Sequence, residues 1–314
     1  MQNVAVTGGA GFIGSAIVRS LLAEGEVRRI VVIDDLSTGK RENLAGLSGA
    51  IEFLPLDIRN RAALEPVLEG IDTVFHLAAI PSVPQSIEDP QLTHEVNVNG
   101  TLNVLLAAKQ KGVRRVVYSA SCAAYGDSDA LPLSEATLPN PKSPYAVQKL
   151  AGEYYARAFH DAYGLETVCL RYFNVFGPRQ DPSSPYSGVL SIFCTAVLSG
   201  RAPTIFGDGE QSRDFIFVDN IARLNLLAAR SPKAPGRVYN GGTGRRRSLN
   251  EIWGLLQRIE KVDLAPNHGP ARLGDILHSQ ADISAARTEL GFEAAIDFEE
   301  GLRRTLAWYK EAGA

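Results

Sequence analysis

Cysteines are few in this chain, and long apolar runs are missing. The three cysteines, Cys122, Cys169 and Cys194, are odd in number and lack the close spacing of metal ligands. Neither a disulfide framework nor a metal site is therefore expected. No apolar run reaches the ~20 residues of a membrane helix, and the first seven residues lack the basic and apolar regions of a signal peptide. These absences predict a cytoplasmic protein without a membrane partner.

An excess of charge is missing as well. The net charge is −3, which gives no reason to expect nucleic acid as a partner. Apolar residues make up 45% of the chain and charged residues 21%, the usage of globular proteins rather than disordered or fibrous ones. At ~150 residues per domain, the 314 residues predict about two domains.

Short β-branched runs alternate with helical stretches in the first half of the chain. Strands are predicted over residues 3–7, 28–34, 51–57, 72–79, 114–121 and 166–177, and helices over 12–24, 93–111 and 145–163. Apolar runs without alternation are typical of strands buried on both faces of a parallel sheet. We therefore predict an α/β fold with a Rossmann-type, doubly wound parallel sheet.

A loop rich in Pro and Ser follows residue 177 and marks a change in the pattern. Further strands are predicted near 203–206, 214–219 and 238–242, and helices near 189–199, 248–260, 282–290 and 298–311. We predict a first domain over residues 1–175, to which 214–242 return. A smaller, discontinuous α/β C-terminal domain, which would bind the substrate, takes 176–213 and 243–314.

Three glycines mark the passage from the first predicted strand into the first predicted helix. Gly8, Gly11 and Gly14 allow a tight turn and a close backbone approach to a pyrophosphate, which the helix N-terminus also favours. Asp34 ends the second strand, where a carboxylate binds ribose hydroxyls and repels a 2′-phosphate. The pattern predicts an NAD site, and NAD is favoured over NADP. The alternative is a structural glycine turn with a strand-end aspartate.

A tyrosine and a lysine share one face at the start of the predicted helix 145–163. Ser143 and Pro144 suit the cap and the first helical position, which leaves Tyr145 and Lys149 four residues apart. A nearby ammonium lowers the pKa of a phenol, so Tyr145 could remove a proton from a sugar hydroxyl as a general base. The bare Tyr-Lys spacing also occurs by chance in ordinary helices.

Six sequence features occur together in a fixed order. They are TGGAGFIG (7–14), Asp34, SASCAAYG (119–126), SPYAVQK (143–149), RYFNVFGP (171–178) and SRDFIFVD (212–219). With them the chain resembles, over essentially its whole length, the NAD-dependent epimerase/dehydratase family of extended short-chain dehydrogenases/reductases, and in particular its nucleotide-sugar 4-epimerases. The resemblance implies that Ser121, Tyr145 and Lys149 are catalytic. It also implies reversible oxidation at C4 of a UDP-hexose through a transient 4-keto sugar.

The same resemblance implies a set of cofactor contacts around the glycine loop and the strand ends. The expected NAD-binding residues are Gly8, Gly11, Phe12, Ile13, Gly14, Asp34, Asp57, Ile58, Leu77, Ala78, Ala79, Asn97, Tyr145, Lys149, Tyr172 and Val175. Asp57 and Ile58 would border the adenine, whereas Tyr172 and Val175 would flank the nicotinamide. Each could instead be ordinary strand-end packing. His76 is expected to be a core residue rather than a ligand.

A second implied set contacts the UDP-sugar. The expected substrate-binding residues are Ser82, Ser121, Cys122, Tyr145, Asn174, Gln180, Thr204, Phe206, Arg213, Arg272, Asp275 and Ser279. Arg213 and Arg272 match the family's pyrophosphate clamp, since arginine suits phosphate geometry. Asp275 matches the acid that binds the ribose, and the segment 203–206 matches the one that holds the uracil. The alternative for either arginine is an ordinary surface position.

Departures from related patterns narrow the expected reaction. Sugar 4,6-dehydratases carry an Asp-Glu pair at the positions of Cys122 and Ala123, and the related decarboxylases carry a glutamate at the second of these. Neither acid is present, so epimerisation is the expected reaction. We interpret Cys122 as a small residue of the pocket wall rather than a nucleophile.

Ser279 is the most informative position for the substrate. Epimerases limited to UDP-glucose and UDP-galactose typically have a tyrosine there, whereas a serine leaves room for an N-acetyl group at C2. The surrounding GDILHSQADIS (274–284) resembles the epimerases that act on UDP-GlcNAc and UDP-GalNAc. The alternatives are a UDP-glucose/UDP-galactose 4-epimerase and a nucleotide-sugar oxidoreductase with net turnover.

Two predicted helices are apolar nearly all round, which indicates burial on more than one side. They carry Leu102, Leu105, Leu106, Leu150, Tyr154 and Phe159. In relatives such helices pair across a two-fold axis, so the resemblance implies a homodimer formed through a four-helix bundle.

Overall fold

A computed structural model describes residues 1–47, 49, 51–128, 130–181, 188–271 and 277–313. The strands are β1 (Asn3–Thr7), β2 (Arg29–Ile33), β3 (Ile51–Leu54), β4 (Thr73–His76), β5 (Arg115–Ser121), β6 (Glu166–Tyr172), β7 (Asn174–Phe176), β8 (Thr204–Phe206), β9 (Ser212–Phe217), β10 (Val238–Gly241), β11 (Arg246–Ser248) and β12 (Asn267–Gly269). The helices are α1 (Phe12–Glu24), α2 (Arg61–Val67), α3 (Val83–Glu88), α4 (Pro90–His94), α5 (Thr101–Gln110), α6 (Pro144–Tyr163), α7 (Val189–Leu198), α8 (Val218–Arg230), α9 (Leu249–Glu260), α10 (Ser284–Leu290) and α11 (Phe298–Ala312).

Seven parallel strands form the central sheet, in the order β3-β2-β1-β4-β5-β6-β10. β1 and β2 are apolar runs that are buried from their second residue onward, as expected for strands covered on both faces of a sheet. The predicted Rossmann-type α/β class is therefore confirmed. The strand order reverses between β1 and β4, and ligands of such sheets bind beyond the carboxyl ends at that point.

Two small sheets lie outside the central one. β7 pairs parallel to β9 and β9 antiparallel to β11, while β8 pairs with β12. β9 lies in the stretch that was predicted to return to the first domain, and it pairs with β7 and β11 rather than with a strand of the central sheet. The chain returns through α8, which packs on α1, and through β10, which pairs with β6. The domain boundaries themselves stay predictions.

The predicted helix over residues 93–111 is interrupted. A π-helical turn at Glu95–Gly100 separates α4 from α5. The Thr101 hydroxyl donates to the Asn97 carbonyl at 2.7 Å, and a Cβ on Gly100 would lie 2.6 Å from Ile58 Cδ1. The backbone at Gly100 thus packs closely against Ile58, a residue distant in the sequence, which helical periodicity does not reveal.

Two strands end earlier than the sequence predicts. The predicted strands over 51–57 and 72–79 end at Leu54 and His76. The residues that follow are those expected to line the cofactor groove. In the part of the chain that the structure describes, no helix has both the length and the apolar character needed to cross a bilayer.

Candidate active site

The glycine loop closes tightly against the residues that follow β4. Gly8 has a φ of +70°, and a Cβ there would lie 2.7 Å from the backbone nitrogen of Ala78. A Cβ on Gly14 would overlap the Gly8 carbonyl oxygen. The loop therefore needs glycine at both positions, and Ala78 lies beside it.

The first turn of α1 presents unused N–H groups. Its cap, Gly11, has no side chain to accept a hydrogen bond, and a Cβ on Gly11 would approach only the Gly8 carbonyl oxygen. Among the described residues, none accepts the N–H of Phe12 or Ile13. Free N–H groups at the positive end of a helix dipole suit a pyrophosphate.

The carboxylate of Asp34 is fixed at the end of β2, close to this loop. It accepts the N–H of Ala10 at 2.9 Å and that of Leu36 at 2.9 Å. Burial raises the pKa of Asp34, and these N–H groups act in the opposite direction. A carboxylate beside the glycine loop is in the position that ribose hydroxyls require.

Ser121 and Tyr145 meet at the carboxyl end of β5. The Ser143 hydroxyl caps α6 by accepting the N–H of Ala146 at 3.2 Å, which places Tyr145 in the first turn. Its hydroxyl lies near the Ser121 side chain. Burial raises the pKa of Tyr145 to about 12, and the nearby Ser121 side chain acts to lower it.

Lys149 lies one turn further along α6 and is buried. Its ammonium donates to the carbonyl of Ser119 at 2.6 Å, and burial lowers the pKa of Lys149 to about 7. The expected lowering of the Tyr145 pKa by this ammonium stays a prediction. Burial of the phenol dominates, and the ammonium is directed at a backbone carbonyl.

Cys122 directly follows Ser121 in the chain. Burial raises the pKa of Cys122 to about 12, while the Arg213 charge lowers it. A thiol with this pKa stays protonated at neutral pH and is a poor nucleophile. A protonated thiol agrees with the interpretation of Cys122 as a small wall residue rather than a nucleophile.

The strand β9 and the segment after residue 276 run side by side at the predicted sugar pocket. Arg213 Nη1 donates to the carbonyls of Ser212 and Leu277 at 3.0 and 3.1 Å, and the N–H of Ser279 donates to the Ser212 carbonyl at 3.0 Å. Ser279 is buried, and its hydroxyl has no partner in the described part of the chain. The predicted ligands Arg272 and Asp275 lie outside the described residues.

Several predicted cofactor contacts use their side chains within the protein. Asn97 donates both amide hydrogens, to the Ile80 carbonyl and to Gln148. The Tyr172 hydroxyl donates to Asn225 at 2.9 Å, and Asp57 pairs with Arg59. Their contacts with a cofactor stay predictions, as do those of Ile58, Leu77, Ala79 and Val175.

His76 is confirmed as a core residue. Its two ring nitrogens lie 2.7 Å from the Thr7 hydroxyl and 3.0 Å from the Thr101 hydroxyl. Burial lowers the pKa of His76 to about 3, so the imidazole is neutral at physiological pH. It connects β1, β4 and α5 rather than binding a ligand.

The remaining predicted substrate residues lie on several other elements. The Ser82 hydroxyl caps α3 by accepting the N–H of Gln85 at 3.1 Å. Thr204 and Phe206 flank the buried Ile205 on β8. The other two are Asn174 on β7 and Gln180 in the following loop. Their contacts with a substrate stay predictions.

Sequence reasoning missed two buried polar residues, Ser86 and Gln148, whose hydrogen bonds connect the start of α6 to the rest of the chain. The Ser86 hydroxyl accepts the N–H of Tyr145 at 3.0 Å. Gln148 donates to the Thr93 hydroxyl at 2.9 Å and accepts from Asn97. Gln148 falls inside the SPYAVQK motif, which was a signal for it, whereas Ser86 lies in a stretch with no helical prediction.

Comparisons with known proteins agree with this geometry. The NAD dependent epimerase/dehydratase family matches residues 4–242. A UDP-glucose 4-epimerase of Mycolicibacterium smegmatis is 40% identical over 97% of both chains. A structure of UDP-N-acetylglucosamine 4-epimerase from Methanobrevibacter ruminantium in complex with UDP-N-acetylmuramic acid has a TM-score of 0.94 and 42% identity over 99% of both chains. A Thermus thermophilus UDP-glucose 4-epimerase in complex with NAD has a TM-score of 0.89 and 37% identity, covering 99% of this chain and 100% of its own. With NAD as its cofactor, the chain belongs to the NAD-dependent epimerase/dehydratase family.

Proposed function

We propose that this protein is a UDP-sugar 4-epimerase. The observation that carries the proposal is the proximity of Ser121 and Tyr145 at the carboxyl edge of the same parallel sheet that carries the glycine loop and the fixed carboxylate of Asp34. Positions 122 and 123, Cys and Ala, offer no acid that could protonate a leaving hydroxyl. The sequence relative from Mycolicibacterium and both structural neighbours carry the name of 4-epimerases.

The proposed chemistry is an oxidation at C4 followed by a reduction on the opposite face. Bound NAD supplies the redox partner, because its nicotinamide can hold the hydride from C4 until that hydride returns. Ser121 passes the proton of the 4-hydroxyl to Tyr145, which acts as the general base. A phenol with a pKa of about 12 needs a positive charge nearby to lose its proton at neutral pH. Lys149 and the oxidised nicotinamide are the charges available to it.

The 4-keto sugar must turn over between the two steps, so the sugar and the UDP need different contacts. Tight binding of the UDP moiety keeps the intermediate bound while the sugar rotates about its phosphate linkage. In the proposal Arg213 and Arg272 hold the pyrophosphate, Asp275 the ribose and the segment around β8 the uracil. Asn174, Gln180 and Ser82 face the sugar.

We favour UDP-GlcNAc and UDP-GalNAc as the substrate pair. A buried hydroxyl without a partner is costly, and the Ser279 hydroxyl is in that state among the described residues. An acetamido group at C2 would supply a hydrogen-bond partner, and a serine leaves space for it. The UDP-GlcNAc 4-epimerase from Methanobrevibacter supports this choice. The alternative pair, UDP-glucose and UDP-galactose, is supported by the names of the other two relatives.

The test is NMR of the product mixtures formed from the four UDP-hexoses. We expect each N-acetylated sugar to be converted into its C4 epimer, with no free NADH released. Tyr145→Phe should lose at least ~10²-fold in kcat, the usual scale for removal of a general base, while it still binds UDP-sugar. Accumulation of free NADH with an oxidised sugar would instead indicate net oxidation. Near-wild-type activity of Tyr145→Phe would contradict the proposal.

We also propose that the protein is a homodimer through α5 and α6. Val147 and Tyr154 lie two turns apart on one face of α6 and are 52% and 50% exposed. Leu102 and Leu106 are half-buried one turn apart on α5. The rest of the predicted apolar set is buried within the chain, namely Leu105, Leu150 and Phe159. A two-fold pairing of these helices would cover the open apolar faces in a four-helix bundle.

A further inference from the structure

The first turn of α6 donates a hydrogen bond to a residue far away in the chain. Its first residue, Pro144, has no N–H to satisfy, and the N–H of Ala146 goes to the cap, Ser143. Between them, the N–H of Tyr145 donates to the Ser86 hydroxyl at 3.0 Å. The position of the tyrosine backbone thus depends on a side chain 59 residues upstream.

The Ser86 hydroxyl is held in one orientation. Ser86 is fully buried on α3, and its hydroxyl donates its single hydrogen to the carbonyl of Val83 at 2.7 Å. Because that hydrogen is used, the oxygen can only accept from Tyr145. The geometry therefore assigns the hydroxyl a single role toward α6, that of acceptor.

The helix that carries Ser86, α3, is itself held in place by hydrogen bonds. α3 starts at the cap Ser82, whose carbonyl accepts the N–H of Ser86 at 3.0 Å. One turn into α6, the Gln148 side chain forms hydrogen bonds with Thr93 and Asn97. The Asn97 side chain in turn accepts the N–H of Ile80 and donates to the Ile80 carbonyl. The start of α6 is thus connected to residues 80–97 at two successive turns.

We propose that Ser86 is a positioning residue for the Tyr145 base. By fixing where the first turn of α6 lies, it sets the distance between the phenol and Ser121. It acts through the backbone of Tyr145 and not through contact with substrate. The inference rests on the proposed role of Tyr145 as the base.

The test compares two variants that each remove one buried hydrogen bond to the backbone of α6. Ser86→Ala removes the acceptor for Tyr145. Thr167→Val is the matched control, because the buried Thr167 hydroxyl donates to the carbonyl of Ala156 at 2.7 Å, eleven residues further along the same helix. Both variants should lower the Tm by a similar amount.

Only Ser86→Ala should slow the reaction. We expect kcat to fall by ~10- to 100-fold, the range that displacement of a catalytic group by up to about 1 Å produces. KM for the UDP-sugar and the bound NAD content should stay unchanged. Thr167→Val should keep kcat within about twofold of wild type. Equal losses of kcat in the two variants, or an unchanged kcat in Ser86→Ala, would overturn the positioning role.

Two further variants separate the hydrogen bond from packing. Ser86→Cys fills the same space with a weak acceptor and should stay slow, whereas Ser86→Thr restores a hydroxyl and should recover kcat. Ser86→Cys is also the variant to compare if Ser86→Ala does not fold.

Tyr145→Phe, measured alongside, separates the two proposals. An inactive Tyr145→Phe with a fully active Ser86→Cys overturns only the role of Ser86, whereas an active Tyr145→Phe overturns the role of Tyr145 and, with it, that of Ser86.

Discussion

At the scale of single residues, the carboxylate of Asp34 determines which dinucleotide can bind. Both of its oxygens are fixed by backbone N–H groups, so a 2′-phosphate would meet a charge that cannot move away. Asp34→Ala should weaken NAD binding and reduce the discrimination against NADP, because the repelling charge is gone. The measurement is the affinity for both dinucleotides. Asp35→Ala is the control, since its carboxylate is adjacent and exposed. Unchanged NAD affinity in Asp34→Ala would mean that the ribose is held elsewhere.

Ser279 is the residue at which substrate class can be tested most directly. Ser279→Tyr adds a ring where we place the C2 substituent, and overpacking of a formed site costs ~1–3 kcal/mol. The loss in kcat/KM should fall on the N-acetylated sugars, because a C2 hydroxyl does not reach this wall. Ser279→Ala, the control for size, should keep turnover of all four sugars. Equal losses on acetylated and free sugars in Ser279→Tyr would refute the assignment of Ser279 as the C2 wall.

At the scale of elements, α6 is fixed to β6 by a buried ion pair two turns after Tyr145. Arg171 donates to both carboxylate oxygens of Glu153 at 2.8 and 2.7 Å, and both side chains are buried. Glu153→Ala should cost ~3–5 kcal/mol in the free energy of unfolding, because it leaves a buried charge without a partner. The double variant Glu153→Leu/Arg171→Met should recover most of that loss.

Urea unfolding measures these differences, and the exposed pair Glu299–Arg303 provides the control. Its side chains are each 52% exposed, so Glu299→Ala should cost less than about 1 kcal/mol. If Glu153→Ala is no more destabilising than Glu299→Ala, the ion pair does not hold α6 in place.

The sequence predicted elements wherever the determining signals are local. The helix over residues 12–24 has the predicted bounds, because glycines precede it and Gly25, in the left-handed conformation, ends it. The π-helical turn and the hydrogen bond from Tyr145 to Ser86 were missed, because both depend on residues brought together only by the fold. In the same way, the order of motifs indicated Ser121 and Tyr145 as partners, but the pKa of the phenol depends on how deeply the fold buries it.

At the scale of the whole molecule, the open apolar faces of α5 and α6 predict self-association. Light scattering at micromolar concentration should give about twice the chain mass of 33.8 kDa. Tyr154→Glu should shift the equilibrium toward the monomer, because it places a charge in the apolar contact. Ile192→Glu is the control, since Ile192 is equally exposed on α7, outside the proposed bundle. A wild-type mass of 33.8 kDa would contradict the dimer.

A single residue connects the central sheet to the small sheet formed by β7, β9 and β11. β6 of the central sheet ends at Tyr172 and β7 of the small sheet begins at Asn174, so Phe173 is the whole connection. Its N–H donates to the Gly241 carbonyl at 2.9 Å, and its ring packs against Tyr125. A hinge needs backbone torsions that are free to change. The torsions of Phe173 are instead restrained by this hydrogen bond and by the packing of its ring. The connection at Phe173 is therefore torsionally stiff. We expect the two sheets to keep their relative position during the reaction, so that the sugar rather than the protein makes the large rotation.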